Sequence, residues 1–421
     1  MERIDETAHS VGIVPGLDTI RELCRRLGDP QDKLKFIHIA GTNGKGSCLA
    51  FISSILKEAG YKTGCYCSPV IRDYRERFTI NGRMISMKAM CGYMERIFDI
   101  CDRMVADGFT HPSAFEIETA VAFCYFLDKG CDVVVLEAGM GGKLDATNVV
   151  KTTSLAVLTS ISMDHMAYLG DTPAKIAENK CGIIKTHVPV VSMYATEEIT
   201  EVTDRICAAN ETGCTYVDRD SIKNIRYGTT KQFFEYRYTR YAISLLGTWQ
   251  TDNAALAIEA AETLMWHGFE RITSEKIKKG LASATWPARF QTVCKNPRFI
   301  IDGAHNDDAA KRLRESIDIF AKDKKKIYIV GMFRDKEIEK VISRITGDGE
   351  LVFTCAARSA RAMDPIELAG IVRNINPRVT ACDSVNEAVE FAMAAADEDT
   401  VIIAFGSLAY LGKIMDIFDV K

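Results

Sequence analysis

Hydrophobic positions along this chain follow two alternating rhythms. Short apolar runs suited to buried strands are separated by stretches in which apolar residues recur every three or four positions. Phe36-Ile37-His38-Ile39-Ala40 is the first β-prone run. Residues 48–56 then keep apolar residues at helical spacing, so the context reads strand, glycine-rich turn, helix. Upstream, residues 1–34 read as a helical lead-in, with Ile20, Leu23 and Leu27 on one face and Gly28-Asp29-Pro30 as the stop. Downstream, 61–67 predicts a short strand ending at Ser68-Pro69. A polar loop over 72–78 follows, then turn chemistry at Ile80-Asn81-Gly82-Arg83. Helices are predicted over 87–105 and 115–129. Val133-Val134-Val135-Leu136 suits a parallel strand buried on both faces, and 154–159 predicts another. Residues 188–246 mix strand and helix, with a hairpin at 233–245, and the alanine-rich run 250–267 is helical.

The alternation restarts near Trp286-Pro287-Ala288-Arg289-Phe290-Gln291. Strands at 299–302, 326–330, 351–354 and 400–404 are interleaved with helices at 309–320, 337–346, 365–374 and 387–396. This pattern predicts the α/β class. The expected architecture is a doubly wound, mostly parallel sheet over residues 1–293 and a smaller C-terminal, Rossmann-like α/β domain over 294–421. Asn296-Pro297 offers the turn at the boundary. In such sheets ligands gather beyond the carboxyl ends of the strands, which directs attention to residues 41–47, Ser68, Glu137 and His165.

Composition narrows the function. At 421 residues the chain is long enough for two cores, and 53 basic against 57 acidic residues give a net charge of −4. That balance makes no case for nucleic acid as the main ligand. The fourteen cysteines are scattered without a C-x-x-C pair, and the start, Met1-Glu2-Arg3-Ile4-Asp5-Glu6, is charged and lacks the apolar core of a signal peptide. Free thiols in a reducing cytoplasm are therefore expected, and no run approaches the length needed to span a bilayer.

The turn Gly41-Thr42-Asn43-Gly44-Lys45-Gly46-Ser47 has the setting of a phosphate-binding loop. Its glycines let backbone N–H groups converge on a phosphate, and the helix start adds partial positive charge. Lys45 would reach the outer phosphates and the Ser47 hydroxyl would hold a magnesium ion. Gly46, between the lysine and the serine, departs from the common spelling. Glu137 ends a very apolar strand, where a carboxylate is costly unless it meets a cation or hydrogen-bond donors. Read singly, His165 is structural, Lys180 is a solvated helix lysine, and Asp302-Gly303-Ala304-His305-Asn306 is a turn with a helix cap.

Together these residues resemble the folylpolyglutamate synthases, including bifunctional dihydrofolate synthases, within the Mur-ligase-like ATP-dependent amide ligases. The resemblance spans nearly the whole chain. It is carried by residues 41–47, Ser68-Pro69, Glu76-Arg77-Phe78, Ser113-Ala114-Phe115-Glu116, 137–148, Asp164-His165, Lys180-Cys181-Gly182-Ile183, Arg289-Phe290-Gln291, 302–306 and Gly406-Ser407-Leu408. It implies that Asn43, Gly44, Lys45 and Gly46 cradle ATP, with Asn253, Arg289, Asp302 and His305 also on the nucleotide side. Ser47 and Glu137 would bind one magnesium, and Glu137, His165 and Ser68 a second. Lys180 matches a lysine carbamylated by carbon dioxide, so that Lys45, Lys180 and His165 form the catalytic set.

Ser113, Ala114, Phe115 and Glu116, with Leu144, Asp145 and Ala146, match pterin-binding segments. Val70 replaces the usual histidine after Ser-Pro, and Ala114 a common aromatic. The implied reaction adds L-glutamate to a folate or to dihydropteroate through an acyl phosphate, in a cytoplasmic monomer. Two rivals stand beside it. A Mur ligase of cell-wall synthesis would need about a hundred residues, a typical small domain, before the loop, where this chain has 40. A non-catalytic nucleotide-binding regulator predicts a lost metal ligand or a lost Lys45, and all are present.

Overall fold

The computed structural model describes residues 2–12 and 16–420. The first sheet has eight strands: β1 (Phe36–Ala40), β2 (Thr63–Tyr66), β3 (Phe78–Ile80), β4 (Arg83–Met84), β5 (Val133–Glu137), β6 (Thr153–Leu158), β7 (Val190–Ser192) and β8 (Cys214–Tyr216). Their order is β4-β3-β2-β5-β1-β6-β7-β8. All neighbours from β2 to β8 are parallel, while β3 and β4 add an antiparallel edge. The chain leaves β1 toward β2 on one side and later returns to β6 on the other, so β1 sits at the switch point where such sheets bind ligands. β1, β2 and β5 are buried along their whole length, which is why their sequences are apolar runs without alternation.

Helices cover both faces. Lys45–Glu58 and Gln250–Trp266 pack on one face with Ile37, Ile39, Val135 and Val157. Ala114–Asp128 and Met87–Ala106 pack on the other with Phe36, Val134 and Leu136. A three-stranded antiparallel sheet, β9 (Ile222–Tyr227), β10 (Gln232–Tyr236) and β11 (Thr239–Ile243), is laid against the first of these cores through Phe234, Tyr236 and Tyr241.

The second sheet runs β12-β13-β17-β14-β15-β16, with β12 (Gln291–Lys295), β13 (Arg298–Ile301), β14 (Lys325–Val330), β15 (Leu351–Thr354), β16 (Val379–Ala381) and β17 (Thr400–Phe405). Only the β12–β13 pair is antiparallel. The boundary expected at 293/294 cuts through β12, which pairs with β13 from Gln291 onward, so the second sheet begins a few residues earlier. The residues at 80–83, expected as a loop turn, form the tight β3–β4 hairpin. All fourteen cysteines are free thiols. Among the described residues no helix is long and apolar enough to cross a membrane.

Candidate active site

The carboxyl ends of both sheets open into one cavity of about 960 Å³. The loop after β1 forms its floor. Gly44 sits at φ +91° as the residue preceding helix Lys45–Glu58, and a Cβ there would lie 2.6 Å from Asn253 Oδ1. Gly46 faces the Trp286 indole so closely that a Cβ would come within 2.5 Å of Nε1. The extra glycine of the loop is therefore a packing requirement as well as a source of backbone donors. Lys45 Nζ donates to the carbonyls of Gly41 (3.1 Å) and Thr42 (3.2 Å). The loop is pinned to the end of β6 by Thr42, whose N–H donates to Ser160 O at 2.7 Å and whose hydroxyl donates to Ser162 O at 2.9 Å.

Several polar groups at this edge are buried without their full complement of partners. Ser47 Oγ is shielded from solvent and has no hydrogen-bond partner. Glu137, 4 % exposed, is pushed up to about 7 by burial, only partly offset by Lys45, Arg289 and the Ser68 N–H. Lys180, 3 % exposed, donates to Gly41 O at 2.7 Å. Burial, and then the charge of Lys45, lower its ammonium to about 7. His165 lines the same cavity with its backbone at φ +49°, and burial keeps its imidazole below the ordinary value. Ser68 lines the cavity too.

This donor set fits a magnesium ion that takes phosphate oxygens for the rest of its shell. An orphaned hydroxyl and an under-compensated carboxylate are hard oxygen ligands, and magnesium commonly uses one or two protein oxygens with substrate phosphates. Among the described residues no cluster of three or more His, Cys, Asp or Glu side chains could form an all-protein cage.

The segments expected from the resemblance to bind a pterin line the same cavity. Ser113 and Glu116 form a reciprocal cap on helix Ala114–Asp128: the Glu116 carboxylate accepts from Ser113 N and Oγ, both at 2.8 Å. Asp145 accepts from Met140 N (2.8 Å), Thr147 N (3.0 Å) and Thr147 Oγ1 (2.5 Å), so its carboxylate holds the loop after β5 in shape. Ala114, Phe115, Leu144 and Ala146 line the cavity alongside them. The polar members of both segments thus shape a wall to which half-buried Phe115 and exposed Leu144 add apolar surface. Val70 also faces the cavity.

The second sheet supplies the opposite wall. Asp302, at the end of β13, accepts from Phe290 N and Ala304 N, both at 2.8 Å; burial raises it, opposed by Arg289. His305 Nδ1 lies 2.8 Å from Gly303 O, and burial, with Lys336, lowers it to about 4. A neutral ring donating from Nδ1 leaves Nε2 as an acceptor. Asn253, Arg289, Asp302 and His305 all reach the cavity.

Sequence reasoning missed the contacts that tie the two walls together. Lys336 Nζ pairs with Asp164 Oδ1 at 3.0 Å, both largely buried. Burial raises the Asp164 carboxyl, but Lys336 and His165 outweigh it and hold it well below the usual range. Asn43 Nδ2 donates to Asp308 Oδ2 at 2.8 Å, and Asn306 Nδ2 donates to Asn43 Oδ1 and to Asp164 Oδ2, each at 3.2 Å. Arg312 pairs with Asp308 at 2.9 Å and stacks on Trp249 with its guanidinium carbon 3.5 Å from the ring centroid. The available signal for Lys336 was its place just beyond the carboxyl end of β14, the same rule that selected Glu137.

Comparison with known proteins gives a consistent set of matches. Residues 39–261 match the Mur ligase middle domain and residues 288–408 the Mur ligase glutamate ligase domain. A Bacillus subtilis dihydrofolate synthase/folylpolyglutamate synthase is 31% identical over 96% of this chain and 95% of its own length. A probable bifunctional folylpolyglutamate synthase/dihydropteroate synthase of Haloferax volcanii is 34% identical over 94% of this chain, which spans about half (47%) of that longer protein. Among solved structures, Mycobacterium tuberculosis folylpolyglutamate synthase complexed with ADP and AMPPCP superposes with a TM-score of 0.90 at 27% identity, covering 100% of this chain and 99% of that one. Escherichia coli FolC in complex with DHPP and ADP gives 0.86 at 28% identity, covering 99% and 97%.

Proposed function

The chain belongs to the folylpolyglutamate synthase/dihydrofolate synthase family of Mur-type ligases, and from that premise we propose how its own residues join L-glutamate to a folate or to dihydropteroate at the expense of ATP. The single observation that carries this reading is the shared cavity. A phosphate loop, a buried carboxylate, a depressed lysine and the end of a second sheet meet in one space of about 960 Å³.

A carboxylate is a poor electrophile, so the acceptor's carboxylate takes the γ-phosphoryl group of ATP, ADP leaves, and an acyl phosphate forms. Lys45 leaves its resting carbonyls and neutralises charge on the transferring group. Ser47 and Glu137 would hold one magnesium and Glu137, Ser68 and His165 a second, which when bound supply charge compensation for that transfer. The neutral amine of glutamate then attacks the acyl carbon, the amide forms, and phosphate departs with the amine's proton lost to solvent. His305, neutral with Nε2 free to accept, is suited to orient the incoming amine.

Lys180 is the proposed site of carbamylation. Only a neutral amine adds to carbon dioxide, giving a carbamate and a proton. Burial and the neighbouring Lys45, which pull this lysine down to about 7, favour the neutral amine that the addition needs. The product replaces an ammonium that is poorly placed beside Lys45 with an anion that complements it. The division of labour follows the sheets. Residues 1–293 would hold nucleotide and acceptor, and 294–421 would bring glutamate, with the pairs Lys336–Asp164 and Asn43–Asp308 closing the cleft against water.

The test is an assay of phosphate release with ATP, magnesium, L-glutamate and either dihydropteroate or a reduced folate. Glutamate-dependent release with one acceptor or both is expected, and comparing the two acceptors assigns mono- or bifunctional activity. No release with either acceptor overturns the reading.

A further inference from the structure

The loop between β2 and β3 touches more than the acceptor side of the cavity. It is prefolded by one carboxylate: Glu76 accepts from the backbone N–H groups of Ile71 (2.8 Å), Arg72 (3.2 Å) and Asp73 (3.1 Å). Ser68, near its start, lines the cavity with Glu137. The outer side of the loop is seated on the second domain's C-terminal helix, Leu408–Ile417. Ile71 packs into that domain's core beside Tyr410, Leu411 and Ile414. The backbone approach is so close that a Cβ on Gly412 would lie 2.1 Å from Ile71 O. Arg72 then closes the contact. Its Nε and Nη2 converge on Asp416 Oδ1 at 2.9 and 2.7 Å, and Nη1 donates to Val420 O.

The helix therefore works at both ends. Its N-terminal residue Leu408 lies in the cavity, against Gly303 and next to Asp302. About 12 Å away, at 1.5 Å per residue, Asp416 in its last turn grips Arg72. We propose that this helix sets the acceptor loop from the second domain, with Arg72 and Gly412 as positioning residues. Movement of the second domain onto the nucleotide carries Leu408–Ile417 with it, and the loop follows as a preformed unit. This proposal deepens the ligase reading and rests on it: it assigns to the domain contact the placement of the acceptor carboxylate, beyond the closing of the cleft.

Two measurements test it. The first needs no turnover: amide hydrogen exchange across residues 69–76, with and without ADP, in the wild type, Arg72→Ala and Gly412→Ala. Loop protection that rises with ADP in the wild type and is lost in both variants is expected. The second is steady-state kinetics. Acceptor KM should rise about fivefold in Arg72→Ala and about tenfold in Gly412→Ala, with ADP affinity within about twofold of wild type. The wedge under the Ile71 backbone costs packing, so Gly412→Ala should lower the thermal midpoint modestly despite alanine's helix propensity, and Arg72→Ala, which adds no bulk, decides the proposal if Gly412→Ala folds poorly. The double variant Arg72→Asp/Asp416→Arg should recover most of the acceptor KM lost in Arg72→Asp alone. Unchanged loop exchange overturns the proposal, as does an equal loss of ADP affinity and acceptor KM. A wild type inactive with every acceptor counts against the ligase reading alone, because the exchange comparison still decides the coupling.

Discussion

The two sheet edges that face each other across the cavity are both carboxyl ends of mostly parallel sheets and have opposite electrostatic economies. At the first edge the buried polar groups are unspent. Ser47 Oγ has no partner, Glu137 is pushed up to about 7, and Lys180 is pulled down to about 7. At the second edge they are satisfied, within that domain or across the cleft. Asp302 takes two backbone N–H groups, Asn306 accepts from Ala309 N at 2.9 Å as a helix cap, and Asp308 pairs with Arg312. Unpaired buried polarity costs stability, and its concentration on one side marks where the chain is completed by something it does not itself contain. The first edge concentrates unpaired polarity, while most polar groups of the second are already hydrogen-bonded.

The sharpest way to break that comparison is to fill an unspent position. Glu137→Gln removes the carboxylate but keeps its shape. Phosphoryl transfer should fall by about a thousandfold, since charge compensation at the transferring group is lost. The thermal midpoint should stay the same or rise, because a poorly paired buried charge has gone. A large fall in the midpoint would show that Glu137 holds the fold together, and the contrast between the edges would collapse. Lys180→Ala comes next, with a loss of about a hundredfold that formate or acetate partly restores by standing in for the carbamate. Undiminished activity without rescue returns Lys180 to a structural lysine.

How much of this was legible follows from what each residue signals locally. The phosphate loop stands out because a glycine-rich turn between a doubly buried strand and an amphipathic helix aims backbone donors at one point, an arrangement suited to an anion. The long strands stand out because four or five consecutive apolar residues need cover on both faces. Strands β7, β8 and β16, of three residues each, carry too little pattern to separate from loops. β12 reads Gln291-Thr292-Val293-Cys294-Lys295, an edge strand without an apolar run, and so resembles a linker. Glu137 was found because a carboxylate after four apolar residues is costly wherever it lies. Lys336 was missed because its cost appears only once the second domain brings it against Asp164. Contacts between sheets are a property of tertiary placement, and no periodicity encodes them.

That missed contact gives the third prediction. Lys336→Met strands Asp164 in a largely buried site and weakens closure, so kcat should fall about tenfold while ADP binding to the first edge is little changed. Pairing it with Asp164→Asn should recover part of the loss, and a coupling of about 1–2 kcal/mol in the double-mutant cycle is expected. Additive effects would mean that the pair does not hold the two edges together.

The smallest effect sharpens the comparison beneath the first edge. His38, in the centre of β1, is fully buried; its Nε2 lies 2.9 Å from Thr147 Oγ1, and Nδ1 has no partner. Thr147 donates its hydroxyl proton to Asp145, so its oxygen accepts from His38, which fixes a neutral ring protonated at Nε2. Burial, then Lys185, lowers this imidazole to about 3. The sign follows directly. The unfolded chain takes up a proton near 6.5 and the folded chain does not, so the contribution to stability is complete above 6.5 and is lost as pH falls toward 3. At pH 6 the loss is about 0.8 kcal/mol, which for a chain of this size moves the thermal midpoint by only a degree or two. The measurement is the shift in midpoint between pH 8 and pH 6 for the wild type against His38→Gln, which cannot titrate. The wild type should shift further by that small margin. Identical shifts would mean that His38 is protonated in the fold, and that the polarity left unspent at the first edge does not extend into the strand beneath it.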